Sequence, residues 1–218
     1  MSNPAAIPVP VEDVQGDNRW MSIHTQNVAA CKDKEPEVLF VGDSLVQLMP
    51  HVGDKLWEKF FEPLHCLNIG VGGDATQHVL WRLHNGEIEC IKPKAVVVLV
   101  GTNNHGHTAG QVAGGIEAIV RFISEKQPQA HIIVLALPPR GKTPNPLREK
   151  NAAVNKLLAK LLPTIPRAEL LDAVGDFVQS DGTINPLEMY DYLHFTSMGY
   201  EKIFEPLQMR LEDLLSSK

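Results

Sequence analysis

Val38-Leu39-Phe40-Val41-Gly42-Asp43-Ser44-Leu45 decides how the rest of the chain is read. Its apolar residues run without alternation, as in a strand buried on both faces of a parallel sheet. The run stops at a glycine, passes through a small polar residue to a serine, and gives way to a helical pattern. A serine at such a strand-to-helix turn lies beside backbone N–H groups that have no partner inside the helix. We therefore read Ser44 as a nucleophile. That reading obliges the rest of the chain to supply a base, an acid to orient it, and donors for an oxyanion.

Working outward, the same strand–turn–helix grammar recurs. Strand 1 covers 37–42, and a helix over 44–49 ends near Pro50. A loop over 51–54 and a helix over 55–61 follow. Strand 2 covers about 64–69 and ends in Gly70-Val71-Gly72-Gly73-Asp74, before a helix over 75–85. Strand 3, 95–100, stops at Gly101-Thr102-Asn103-Asn104, and Thr108 caps a helix to 126. Strand 4 covers 132–137 and ends in Pro138-Pro139-Arg140-Gly141. A helix over 147–161, a strand over 169–172, an irregular segment over 173–195 and a helix from 196 to about 215 complete the chain. Before strand 1, a helix is expected over 19–34. The proline-rich residues 1–16 form an extended arm. Alternating strands and helices predict a single three-layer α/β/α domain over 17–218. Its five-stranded parallel sheet has the order 2-1-3-4-5, as in flavodoxin-like folds, with right-handed crossovers.

Composition narrows the function. The 218 residues are 44% hydrophobic and 21% charged, values typical of globular proteins, and the net charge of −6 argues against a nucleic-acid-binding face. No apolar run is long enough for a membrane span, and residues 1–16 lack the pattern of a secretory signal. Cys31, Cys66 and Cys90 are few and scattered, so a reducing cytoplasm is expected rather than a disulfide framework or a zinc site.

In this architecture, sites form outside the carboxyl ends of the strands, near the point where strand order reverses. Gly42-Asp43-Ser44, Gly72-Gly73-Asp74 and Gly101-Thr102-Asn103 all fall there, in neighbouring loops. Ser44 offers a hydroxyl. The Ser44 and Gly73 N–H groups and the Asn103 amide offer three donors to a tetrahedral oxyanion. His194 is the candidate base. Asp191, three residues earlier on a turn, is the acid that holds its tautomer. Asp43 then only shapes the turn. Leu45, Thr102 and Leu193 adjoin these positions and are expected to line a short acyl pocket. His105 and His107 form an H-x-H pair without a third ligand at fitting spacing, so no metal is expected.

Gly42-Asp43-Ser44-Leu45 is a literal GDSL signature. With Gly73, Asn103 and Asp191-Tyr192-Leu193-His194, the chain resembles the SGNH hydrolases. Residues 13–22, 32–36, 78–83, 101–105, 144–148 and 189–194 are similar to the catalytic (alpha) subunits of the type IB platelet-activating factor acetylhydrolases, over nearly the whole chain. The resemblance implies a cofactor-free esterase that removes the sn-2 acetyl group of an ether phospholipid, with Ser44, His194 and Asp191 as the triad. It also implies homo- or heterodimers that associate with a WD-repeat regulatory subunit. The segment 50–55 departs from the family form by about two added residues. Competing expectations are an SGNH esterase or lysophospholipase of other acyl specificity, and a module that mainly docks the regulatory subunit.

Overall fold

A computed structural model describes residues 2–216; Met1 of the arm and Ser217-Lys218 of the domain lie outside the described residues. The sheet has the expected order, β2-β1-β3-β4-β5. It comprises β1 (Val38–Gly42), β2 (Cys66–Asn68), β3 (Ala95–Leu99), β4 (His131–Leu135) and β5 (Ala168–Leu171). Every pairing is parallel, and β1 and β3 run in register from Val38 opposite Ala95 to Gly42 opposite Leu99. Both of these central strands are buried along their whole length, which explains why their sequences show no polar alternation.

Helices cover the two faces. α1 (Arg19–Asp33) precedes the sheet. α2 (Ser44–Gln47), α3 (Met49–Val52) and α4 (Asp54–Phe60) follow β1. α5 (Thr76–Arg82), α6 (Ala109–Lys126), α7 (Pro146–Leu161) and α8 (Ser197–Ser216) follow in order. α5, α6 and α7 pack side by side, while α4 packs against α8. Phe40 of β1, Trp57 and Phe61 after it, and Phe204 of α8 make an edge-to-face aromatic cluster behind the sheet. Such pairs add about 0.5–1.5 kcal/mol each beyond their burial.

Three local expectations differ. Pro50 does not end the helical region but sits in the first turn of α3, where its missing N–H costs no hydrogen bond; residues 51–52 are helical rather than loop. The altered segment 50–55 thus crosses α3 into α4, and Gly53 lies against the Phe204 ring on the core side. In the arm, residues 4–6 form a 3-10 turn capped by Asn3. Ala5 is buried there, its carbonyl accepts from Thr76 Oγ1 at 2.7 Å, and Asn3 Nδ2 donates to Gln111 O at 2.9 Å. Finally, the helix begun by α5 widens into a π turn over Leu83–Glu87, where Asn85 and Gly86 leave helical backbone angles.

Candidate active site

β1 delivers the nucleophile turn. A Cβ at Gly42 would stand 2.0 Å from Leu99 O, so only glycine lets β1 and β3 stay paired to this point. Asp43 is the N-cap of α2: Oδ1 accepts from Leu45 N at 2.9 Å. Ser44 is the first helical residue, and its Oγ lies 3.0 Å from His194 Nε2. His194 Nδ1 lies 2.6 Å from Asp191 Oδ2. The carboxylate must accept from Nδ1–H, which leaves the Nε2 lone pair facing the serine hydroxyl.

The acid–base pair is fixed by its own turn. Asp191 Oδ1 accepts from Leu193 N at 3.0 Å and from His194 N at 2.7 Å, around Tyr192 in the left-handed conformation with φ +60°. Burial pushes the Asp191 carboxyl up, but the hydrogen bonds from His194 and Leu193 outweigh it and hold the group below the usual carboxylate range. Asp191 is therefore ionised at neutral pH. Tyr190 stacks on the imidazole at 5.9 Å between ring centroids and 19° between planes.

The neighbouring loops present donors. Gly73 has φ +83°, a left-handed angle that favours glycine, and open space where a side chain would stand. The Ser44 and Gly73 N–H groups have no acceptor among the described residues. Asn103 Nδ2 donates to Asp74 O at 3.0 Å, which orients the amide and leaves its second hydrogen available. Gln47 Oε1 accepts from Gly72 N at 3.0 Å and ties this loop to α2.

A buried network missing from the sequence reading holds these loops together. Arg82 is fully buried and reaches Asp74 Oδ2 at 2.8 Å, Ile69 O at 3.1 Å, Gly42 O at 3.3 Å and the Glu87 carboxylate. Trp20 Nε1 donates to Asp74 Oδ1 at 2.7 Å, and His24 Nδ1 pairs with Glu87 Oε1 at 2.9 Å. One guanidinium therefore joins the ends of β1 and β2 to the loop that carries Gly73. Its signal in the sequence was an arginine set among Val79, Leu80 and Leu83 on an apolar face.

Other expectations change. Leu45 is fully buried in the core, where its carbonyl accepts from Tyr200 Oη at 2.8 Å. It has no surface open to solvent there. Thr102 is also buried, and both its carbonyl and its hydroxyl accept from Arg140 Nη1 at 3.0 Å. Leu193 alone of the three keeps partial exposure, in a surface depression with Arg140, Asp191 and Tyr192. Arg148 donates to Gly182 O at 2.7 Å and to Gly141 O, bracing loops. His107 Nδ1 accepts from Asn104 Nδ2 at 3.1 Å. Asp43 does more than shape a turn: it is fully buried, its Oδ2 has no partner among the described residues, and burial pushes its carboxyl up to about 7.

Comparison with known proteins agrees with this geometry. Residues 40–202 match the GDSL-like Lipase/Acylhydrolase family. Platelet-activating factor acetylhydrolase IB subunit alpha1 of Bos taurus is 60% identical over 214 residues, covering 98% of this chain and 91% of the relative. The alpha2 subunit of Homo sapiens is 61% identical, covering 98% and 93%. Among solved structures, a GDSL-like lipase from Bacteroides thetaiotaomicron superposes with a TM-score of 0.68 at 19% identity, over 88% of this chain and 97% of its own, which is a likeness of fold. No helix among the described residues is long and apolar enough to cross a membrane.

Proposed function

The chain belongs to the GDSL-like lipase/acylhydrolase family, and from that premise we propose that it is a serine esterase cleaving the sn-2 acetyl ester of platelet-activating factor and related short-acyl ether phospholipids. The observation that carries the reading is the unbroken chain Ser44 Oγ–His194 Nε2 at 3.0 Å and His194 Nδ1–Asp191 Oδ2 at 2.6 Å, at the carboxyl edge of the sheet. The acetyl and phospholipid parts rest on the names of the relatives.

In this reading, Ser44 Oγ attacks the acetyl carbonyl carbon while His194 Nε2 takes its proton. The imidazolium is held by the ionised Asp191. The carbonyl oxygen gains negative charge opposite the Ser44 N–H, the Gly73 N–H and the Asn103 amide. Each such donor is worth about 2.7–4 kcal/mol of transition-state stabilisation. The tetrahedral species collapses, the lyso alkoxide leaves with the proton from His194, and an acetyl-Ser44 ester remains. Water, deprotonated by His194, then attacks that ester, releasing acetate and restoring the serine. No step calls for a cofactor.

Fluorophosphonate labelling tests the assignment. Ser44 should be the modified residue, and Ser44→Ala should take no label; label at another residue of folded protein would falsify the nucleophile. Rates on acetyl and octanoyl p-nitrophenyl esters test the short-acyl preference, and equal rates would remove it.

The relatives are named as subunits, which supports association into a complex; homo- or heterodimerisation and docking of a WD-repeat regulatory subunit belong to the same proposal, with native mass as the measure. Cys31, Cys66 and Cys90 are free thiols, which supports a cytoplasmic location.

A further inference from the structure

Asn103 stands on the loop between β3 and α6, whose own backbone hydrogen bonds are few: Asn104 N to Gly101 O, His105 N to Asn103 O and His107 N to Asn104 O. Such a loop needs outside support to hold an amide in one orientation. The buried Asn104 side chain ties the loop to α5, its Oδ1 accepting from Thr76 N at 3.0 Å, and two cations brace the backbone from the side of α7. Arg140 Nη1 donates to Thr102 O and Thr102 Oγ1, each at 3.0 Å. Lys150 Nζ donates to Asn104 O at 2.8 Å and to His107 O at 3.3 Å. The carbonyls of the residues on either side of Asn103 are thus each captured by a charged donor.

The two donors are themselves anchored. Lys150 lies in α7, and Arg140 lies in the loop leading to it. The Arg140 carbonyl accepts from Asn145 Nδ2 at 2.7 Å, and Asn145 also caps α7 through Leu147 N and Arg148 N. Asn151 Nδ2 holds Pro138 O at 2.9 Å, and Asn155 holds both the N–H and the carbonyl of Leu137. The first turns of α7 and the end of β4 therefore form a rigid platform. Neither Arg140 nor Lys150 hydrogen-bonds to Ser44, Asp191 or His194.

We propose that Arg140 and Lys150 are positioning residues that clamp the peptides flanking Asn103 and so hold its amide where the oxyanion forms. The clamp rests on the reading of Asn103 as an oxyanion donor. Charge-assisted bonds to both flanks restrict rotation of the loop, while Asp74 O restricts the side chain itself. Loss of Lys150 frees the amide without touching the nucleophile or the base, whereas loss of Arg140 also removes a positive charge beside Asp191. The effect should therefore fall on the chemical steps, acylation and deacylation alike, and leave substrate binding in place.

The test is a double-mutant cycle with Lys150→Met and Asn103→Ala, assayed on p-nitrophenyl acetate under steady-state conditions. Lys150 is half-buried and methionine retains the aliphatic stem, so the variant should fold, with circular dichroism as the check. Arg140→Gln repeats the cycle from the other flank. Lys150→Met should lower kcat roughly 10-fold with KM within about twofold, and Asn103→Ala should lower it roughly 100-fold or more. The double variant should be no slower than Asn103→Ala by more than about twofold, because the clamp acts only through that amide. Unchanged kcat in Lys150→Met, or losses that multiply, would overturn the clamp. Unchanged kcat in Asn103→Ala would instead overturn the oxyanion assignment beneath it.

Discussion

Replacing Asp43 by asparagine should make the protein more stable at high pH than at low pH relative to wild type. Asp43 is fully buried, keeps one hydrogen bond, from Leu45 N to Oδ1 at 2.9 Å, and leaves Oδ2 without a partner. Burial raises its carboxyl from 3.8 to about 7, against the pull of the Leu45 N–H. The unfolded chain releases this proton near 3.8, whereas the native protein keeps it until about 7. Between those values the native state holds more protons, so raising the pH favours unfolding. The favourable contribution is complete below the unfolded value and lost as pH climbs through the folded one. At ~1.4 kcal/mol per pH unit, the loss across the window is on the order of 4 kcal/mol. Asparagine is isosteric, can still accept from Leu45 N, and does not titrate. Urea unfolding followed by circular dichroism at pH 4.5, 5.5, 6.5 and 7.5 would measure both proteins. The stability of Asp43→Asn minus that of wild type should rise across the series, and carboxylates that do not interact with Asp43 cancel in this difference. A difference that stays constant with pH would refute the reasoning, because Asp43 would then be ionised, or neutral, throughout.

Asp191→Asn should cost roughly 10³–10⁴-fold in kcat with little change in folding, because the amide donates to His194 Nδ1 and moves the ring proton to the Nε2 that should accept from Ser44. A loss below tenfold would show that the tautomer is set by something else. Trp20→Phe removes the indole donor to Asp74 Oδ1 and leaves that buried carboxylate short of a partner, so urea unfolding should show about 2 kcal/mol of destabilisation. Less than about 0.5 kcal/mol would mean that the Arg82 guanidinium alone satisfies the carboxylate.

The sheet was legible because β1 and β3 carry unbroken apolar runs that only a doubly covered parallel strand explains. The residues brought together at Ser44 were legible because each closes or follows an element at the same end of that sheet. What escaped depended on direction rather than position. Leu45 and Thr102 adjoin the site in sequence, but a helix's first turn aims Leu45 into the core, and Arg140 covers Thr102. Adjacency in the chain does not fix where a side chain points. Arg82 escaped because a lone arginine on an apolar helix face reads equally as a surface charge; its partners, Asp74 and Glu87, meet it only through the strand ends and the π turn. Pro50 was misread because proline marks the start of a helical turn as readily as the end of one.

The hydrogen bond between Ser44 and His194 spans 150 positions of the chain, and the Tyr200 hydroxyl closes on Leu45 O across 155. During synthesis the nucleophile turn leaves the ribosome early, with β3 soon after it to complete the centre of the sheet. The base arrives only when nearly all of the polypeptide has been made. A nascent or truncated chain that carries the serine still lacks any means to deprotonate it. Hydrolytic activity in this protein is consequently a readout of finished folding. Ester turnover in a refolding or translation assay should rise with the last tertiary contacts, after the strand and helix signals of the central sheet have saturated.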